Sequence, residues 1–458
     1  MKDMMLQERN CKILALCALL LSAAGTVGAT APKGVFSVGP GVYATLGDEN
    51  YSVGEKCFFT FDEAKNISET EWHVLTKSEW TYLLVTRDVG RAAADQRNGI
   101  GTVNGKHGLI IIPDNWIQPS GVPALTGGSS AGWNTNSYDA TQWAAMEAAG
   151  AVFLPAAGYS DDGTTATDPG LDGTYWSSSE NSDNTAQGFA IQFENSAVIH
   201  DRQSKDKVNY YSVRMAKTLT VLDENDDETT FDSKFATARM KDYALMIRSL
   251  YKDGYFNTIC LPFDVNSIAA SPLAGAEIYT FDGGRVVNTG SGNELQLQLS
   301  PLSGDQLEKG VPYMIRWTSG DNLSFLIFDN INWGTGIDAG QTGDANKVTF
   351  HGFYPMTHIE ELNHYNLFLG ADDVLYWPIA DGTSMRGFRA YWLVDQSQPS
   401  PAPIYRGMPA SLHIRQKTGV TTGIENDELK TKSDKILREG RVVLLINGEQ
   451  YSIGGQKL

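Results

Sequence analysis

Between Trp72 and Lys217 four phrases follow one another in a fixed order: WHVLTKSEWTYLL, GAVFLPAAGY, YWSSSEN and YYSVRMA. In the first, Thr76 and Glu79 form a Thr-x-x-Glu capping box ahead of Trp80, Leu83 and Leu84, so a short amphipathic helix is predicted from Lys77 to about Thr86. A second helix is signalled by Asp139 with Gln142 three residues on, by apolar Trp143 and Met146, and by Gly150 as its stop. Between them Gly108 to Pro113 reads as a buried strand, because Leu109 to Ile112 is continuously apolar, and Ala151 to Leu154 reads the same way. Gly158 to Gly173 is dense in Asp, Gly, Thr and Pro and predicts a long irregular surface connection. Thr174 to Ser177, Gly188 to Phe193 and Tyr210 to Met215 are predicted strands.

In this order the phrases resemble the Fibrobacter-type major paralogous domain, a family of secreted bacterial modules with a C-type-lectin-like fold. The resemblance implies an α+β domain with two helices, a long polar loop and terminal strands, and a scaffold that displays a variable ligand-binding surface. It fades before Trp72, where Gly34 to Phe61 keeps a compressed version of the usual opening strands. The related formylglycine-generating enzymes act through cysteine, and a single thiol, Cys57, lies near this region.

The N-terminus predicts export. Arg9 and Lys12 precede an apolar run from Ile13 to Ala24, then small residues end at Val27-Gly28-Ala29, the pattern of a secretory signal peptide cut after Ala29. That run is too short to span a bilayer comfortably, and no other run is long enough. At 458 residues the chain exceeds one ordinary core. The expected division is a signal peptide over 1–29, the lectin-like domain over 30–217, a β-sandwich over 218–398, a linker over 399–434 and a sorting-like hairpin over 435–458. A net charge of -18 argues against nucleic acid or an anionic membrane as partner. Cys57 and Cys260 read as separate buried thiols, with no disulfide framework and no metal-type spacing.

The candidate ligand surface combines aromatic rings with polar neighbours: Trp133, Tyr159, Asp161, Asp162, Tyr175, Glu180, Asn181 and Arg202. Trp176 is expected in the core instead. Gln118-Pro119-Ser120 and Pro113-Asp114-Asn115-Trp116 match neither calcium signature of lectins with this fold, and Asp161, Asp162 and Asp168 read as turn acids. His73, His107 and His200 lack a partner nucleophile, so no catalytic set, metal or cofactor is expected. Asp161 with Glu180 is the carboxylate pair of an alternative reading, a glycan-active enzyme carrying the lectin-like module as an accessory. A third reading is a structural or filament subunit.

In the second half, the acidic run Asp223 to Glu228 reads as a solvated boundary. Tyr243 to Ser249 and Tyr255 to Leu261, around Lys252-Asp253-Gly254, read as a β-hairpin. Further short strands follow between Gly and Asp turns with no helical period, which predicts a β-sandwich. The phrases LDEN (222–225), NTICLPF (257–263), KGVPYMI (309–315) and FRAYWLV (388–394) resemble a module common on secreted proteins of the Bacteroidota, with no catalytic residue implied. His351, His358 and His364 are spaced for neither one strand face nor one helix face. Pro399 to Pro403 reads as a connector, and Asn447-Gly448 as a hairpin turn. The tail is similar to C-terminal sorting modules of the type IX system, which implies attachment to the outer surface. The expected function is that of an exported, non-enzymatic secreted or cell-surface protein that binds a glycan or protein ligand outside the cell.

Overall fold

A computed structural model describes residues 31–399 except 68–70, 128–131, 196, 289–292, 337–338, 345–346, 360–364, 374 and 377–382. Beyond residue 399 it describes 412–416, 433–438, 441–446 and 449–452. Two compact units follow one another along the chain, the first holding Pro32–Thr220 and the second starting at Val221. No helix among the described residues is long and apolar enough to cross a membrane.

The first unit opens with β1 (Phe36–Gly39), β2 (Val42–Leu46), α1 (Phe61–Lys65), β3 (Trp72–Val74) and α2 (Lys77–Leu84). Next come β4 (Asn98–Val103), β5 (Lys106–Ile111), β6 (Ser137–Tyr138), α3 (Ala140–Ala148) and β7 (Val152–Pro155). It closes with β8 (Tyr159–Ser160), β9 (Ala166–Thr167), β10 (Asp172–Glu180), β11 (Gln187–Glu194), β12 (Ala197–Asp206) and β13 (Met215–Leu219). All three helices start on reciprocal capping boxes: Thr60 with Glu63, Thr76 with Glu79, and Asp139 with Gln142. Each satisfies helix-end N–H groups that would otherwise lack partners. Gly150 (φ +94°) ends α3 in the left-handed region.

Three sheets carry the unit, in the orders β1-β2-β13-β3, β6-β4-β5-β7 and β10-β11-β12. Because β13 pairs with both β2 and β3, the end of the unit is stitched to its beginning. Trp80, Leu83 and Leu84 of α2 are buried with Phe36, Ile100, Leu109, Leu154, Ile191 and Phe193. A second cluster surrounds Trp176 with Phe59, Phe61, Ala190, Tyr211 and Val213. Full burial of side chains of this size stabilises by roughly 1.5–3 kcal/mol each.

Two expectations change here. Tyr210 to Ser212 forms no ladder, because its residues bridge singly to three different segments, at Ser160, Phe59 and Tyr175. The run 158–173 contains a small ladder, Tyr159↔Thr167 and Ser160↔Ala166, which left-handed Gly158 and Gly163 allow the chain to enter and turn.

The second unit begins with β14 (Leu222–Asp223), α4 (Glu228–Ala238), β15 (Tyr243–Leu250), β16 (Asn257–Cys260) and β17 (Phe263–Val265). It continues through β18 (Glu277–Asn288), β19 (Asn293–Pro301), β20 (Pro312–Arg316), β21 (Leu323–Asp329), β22 (Ile331–Trp333) and β23 (Gln341–Asp344). Then follow β24 (Val348–Phe353), β25 (Thr357–Ile359), β26 (Asn366–Leu369), β27 (Leu375–Tyr376), β28 (Thr383–Met385) and β29 (Arg389–Val394). The last strands are β30 (Leu412–Gln416), β31 (Ser433–Arg438), β32 (Arg441–Ile446) and β33 (Glu449–Ser452). The architecture is β-rich. Two five-stranded sheets, β16-β20-β18-β19-β30 and β23-β24-β29-β26-β27, share one core of Phe281, Leu295, Leu297, Met314, Phe350 and Trp392. A second core packs α4 with β15 and β21 through Phe231, Phe235, Met246, Leu326 and Phe328.

Four readings of this half are corrected. The acidic run is no solvated linker: Leu222 and Asp223 form β14, parallel to β15, and Glu224 is buried. A helix exists, because Asp227 caps Thr230 N–H and Phe231, Phe235 and Ala238 supply one buried face. Tyr243–Leu250 and Asn257–Cys260 do not form a hairpin; β15 pairs with β21 and β16 with β20. The turn between them has its N–H groups taken by side chains: Tyr251 by Asn257, Lys252 by Asn322, and Phe256 by Asp373. Finally, Leu412–Gln416, inside the stretch read as a linker, is a strand parallel to β19. At the C-terminus β32 pairs with both β31 and β33, a three-stranded meander; Asn447-Gly448 lies outside the described residues, between paired Ile446 and Glu449.

Candidate ligand-binding surface

The first unit carries a continuous polar and aromatic strip across α1 and the chain that frames it. Phe61, the first residue of α1, is buried edge-on against Trp176 (centroids 5.4 Å apart), and a Cβ on Gly188 would overlap its ring. The Phe61 backbone N–H donates to Lys207 O (3.1 Å), tying α1 to the segment after β12. Lys207 and Lys65 lie 5.1 and 5.9 Å from the Phe61 ring and converge on Glu180 Oε1, at 3.1 and 2.9 Å. Hydrogen bonds from Lys65 and Lys207 hold the Glu180 carboxyl below its ordinary range. Beside it Asn181 donates to Ser204 Oγ (3.1 Å) and its Oδ1 accepts from Asp183 N–H (3.0 Å), while Gln187 donates to Asp206.

On the other flank of α1, Lys56 Nζ meets Glu63 at 2.6 Å and sits 5.3 Å from the Tyr210 ring. Tyr210 pairs with Ser160, next to exposed Tyr159. The strip therefore runs Tyr159, Tyr210, Lys56, Glu63, Lys65, Glu180 and Lys207. Its charges alternate in sign, Tyr159 lies on β8, and Tyr210 is tied to the same strand by a single bridge to Ser160.

The residues singled out by sequence divide sharply. Tyr159, Glu180 and Asn181 belong to the strip, and Asp161 is exposed. Trp133 and Tyr175 do not belong to an exposed surface. Trp133 is 6% exposed, stacks on His107 at 5.0 Å, and its backbone N–H donates to Asn195 Oδ1. Tyr175 is fully buried; its hydroxyl donates to Pro155 O and accepts from Asn50, and burial pushes its pKa up to about 12. Their large apolar rings are worth more in the core than at a wet face. Asp162 serves its own turn. It accepts from the backbone N–H groups of Thr165 (2.7 Å) and Thr164 (2.8 Å) and from both hydroxyls, which hold its carboxyl well below the ordinary range. The Arg202 and His200 side chains, and Ala29, lie outside the described residues.

Other expected positions resolve into structure. Trp176 is fully buried, and its indole N–H donates to Phe59 O at 2.7 Å. His107 Nδ1 lies 2.9 Å from Gly170 O, and His351 Nε2 lies 2.8 Å from Thr349 Oγ1. Among the described residues no three His, Cys, Asp or Glu side chains are grouped to hold a metal ion. Hydrogen bonds from Lys65 and Lys207 favour the ionised form of Glu180, which in a glycosidase pair suits the base or nucleophile rather than the acid. Cys260 is a buried thiol whose pKa burial raises, whereas Cys57 is half-buried and disulfide-bonded, which corrects the expectation of two free thiols.

Sequence reasoning missed α1, Lys65 and Lys207. The signal for α1 was present as Thr60-Phe-Asp-Glu63, a second Thr-x-x-Glu box. Lys207 had no local signal, since its position follows from the pairing of β11 and β12.

In the second unit the four phrases meet in one network. Glu224 of LDEN is buried and receives Ser249 Oγ (3.0 Å), Arg248 (3.4 Å), Arg386 (3.2 Å) and Arg389 (2.6 Å). Arg248 also donates to Thr258 O of NTICLPF and to Phe388 O of FRAYWLV. Ala390 N–H donates to Thr258 Oγ1, and Cys260 Sγ donates to Gly310 O of KGVPYMI. The phrases thus mark a buried polar junction that fixes how the strands meet.

No family model, no curated protein and no solved structure matches this chain.

Proposed function

We propose that this chain is an exported, non-enzymatic secreted or cell-surface protein that binds a glycan or protein ligand through its first unit, taken to be C-type-lectin-like. The observation that supports the reading is the Tyr159–Lys207 strip, in which rings and paired charges lie side by side. Aromatic faces beside hydrogen-bonding side chains suit the apolar and hydroxylated faces of sugars. The strip also replaces Trp133 and Tyr175 as the binding candidates. Glycan-array and pull-down screens of the chain from Thr30 onward test the reading; negative results on both remove it.

Export rests on the charged, apolar and small-residue pattern ending at Ala29, and the C-terminal meander is the candidate for outer-surface attachment. N-terminal sequencing of protein recovered outside the inner membrane should begin at Thr30. An intact Met1 overturns the export reading.

A further inference from the structure

We infer that Arg386 and Arg389 form a site for an oxyanion, the carboxylate or phosphate group of a ligand, on the second unit. This is independent of the ligand surface proposed for the first unit. Three guanidiniums converge on Glu224, so one negative charge faces three positive ones. Among the described residues no second carboxylate bonds to any of the three. Of the acidic residues beside Glu224 in sequence, Asp223 accepts from the backbone N–H and side-chain amide of Asn225, and Asp226 is taken by Lys234 at 2.7 Å.

The three arginines are not equivalent. Arg248 is fully buried and spends its N–H groups on Glu224, Ser249 O, Thr258 O and Phe388 O. Arg389 gives one Nη2–H to Glu224 and makes no other hydrogen bond to a described residue, although its side chain is 23% exposed. Arg386 gives one Nη1–H to Glu224 and is 56% exposed. The remaining N–H groups of Arg386 and Arg389 are open to an incoming ligand, and their fork geometry matches two oxygens of one anion. In a chain of net charge -18 this local excess of positive charge is the opposite of the surrounding field and concentrates anions there.

The cradle is held in place by backbone. Gly387 N–H donates to Glu224 O at 2.6 Å, and Phe388 sits at φ +57°, so the arginines are presented by a fixed turn rather than a free loop.

The test is isothermal titration of the whole chain with inorganic phosphate and with D-glucuronate, using D-glucose as the uncharged control. One anion should bind saturably at a single site and glucose should not; which anion binds tells phosphate from sugar carboxylate. Arg386→Gln should weaken binding at least tenfold with an unchanged melting midpoint, because that side chain is largely exposed. Glu224→Gln removes the competing carboxylate and should tighten binding and make the melting midpoint more dependent on anion. If Glu224→Gln does not fold, Arg386→Gln and Arg389→Gln decide. No saturable heat from either anion, or unchanged binding in both arginine variants, overturns the site.

Discussion

Trp176 shows how one residue sets the limits of this chain. Its ring packs edge-on against Phe61 and Tyr211 while its indole N–H reaches Phe59 O, so it closes the core beneath the strip. Trp176→Ala should cost about 3–5 kcal/mol, from lost transfer energy and a cavity. Chemical denaturation of the variant measures this; a variant that melts like the parent but loses ligand would place Trp176 on the binding surface. A buried Glu224 is the opposite case. Burial there is tolerable because its carboxylate is fully hydrogen-bonded, and removing Arg389 leaves both partners short. Arg389→Ala should therefore destabilise the second unit far more than Arg386→Ala, whose exposed side chain contributes little. Equal losses would contradict the junction described here.

At the scale of elements, local chemistry was readable and pairing was not. The boxes Thr76–Glu79 and Asp139–Gln142 name helix starts that the structure has, since capping depends on residues three apart. Trp176 as core and an Asn-Gly between paired strands follow from equally local patterns. The hairpin expected at Tyr243–Leu261 fails because side chains from Asn322 and Asp373, far away in sequence, take the turn's N–H groups. Trp133 and Tyr175 were misassigned for a related reason: an aromatic beside polar residues looks the same in sequence whether its face is wet or covered. Of the candidate surface, Tyr159, Glu180 and Asn181 were visible, whereas Lys65 and Lys207 depended on where β12 ends.

The α2 box also sets a pH dependence. Burial raises the Glu79 pKa, but His73, 3.6 Å away, and hydrogen bonds from the Thr76 N–H and hydroxyl outweigh it, and the net shift is below the ordinary 4.5. A carboxyl depressed on folding contributes stability that is full above its unfolded value and is lost as pH falls through the folded one. The first unit should therefore weaken as pH drops below 4.5, and Glu79→Gln should flatten that part of the profile while costing little of the cap. Denaturant midpoints across that range check it; an unchanged slope contradicts it.

For the whole molecule, the division lies between Thr220 and Val221. A cut at Lys217 would remove Thr218 and Leu219, which pair with Ala44 and Tyr43, so the first unit should fold alone when it ends at Thr220 and lose stability when it ends at Lys217. Separate melts of the two fragments should together reproduce the transitions of the intact chain. The proposed function places the ligand on the strip of the first unit. The most direct test compares, on one glycan array and one protein pull-down, the chain from Thr30 onward with a variant carrying Lys207→Glu and Tyr210→Ala. The parent should bind a defined ligand set, and the folded variant should lose it by at least tenfold. Ligand binding that is the same in both would place the function elsewhere and contradict the account.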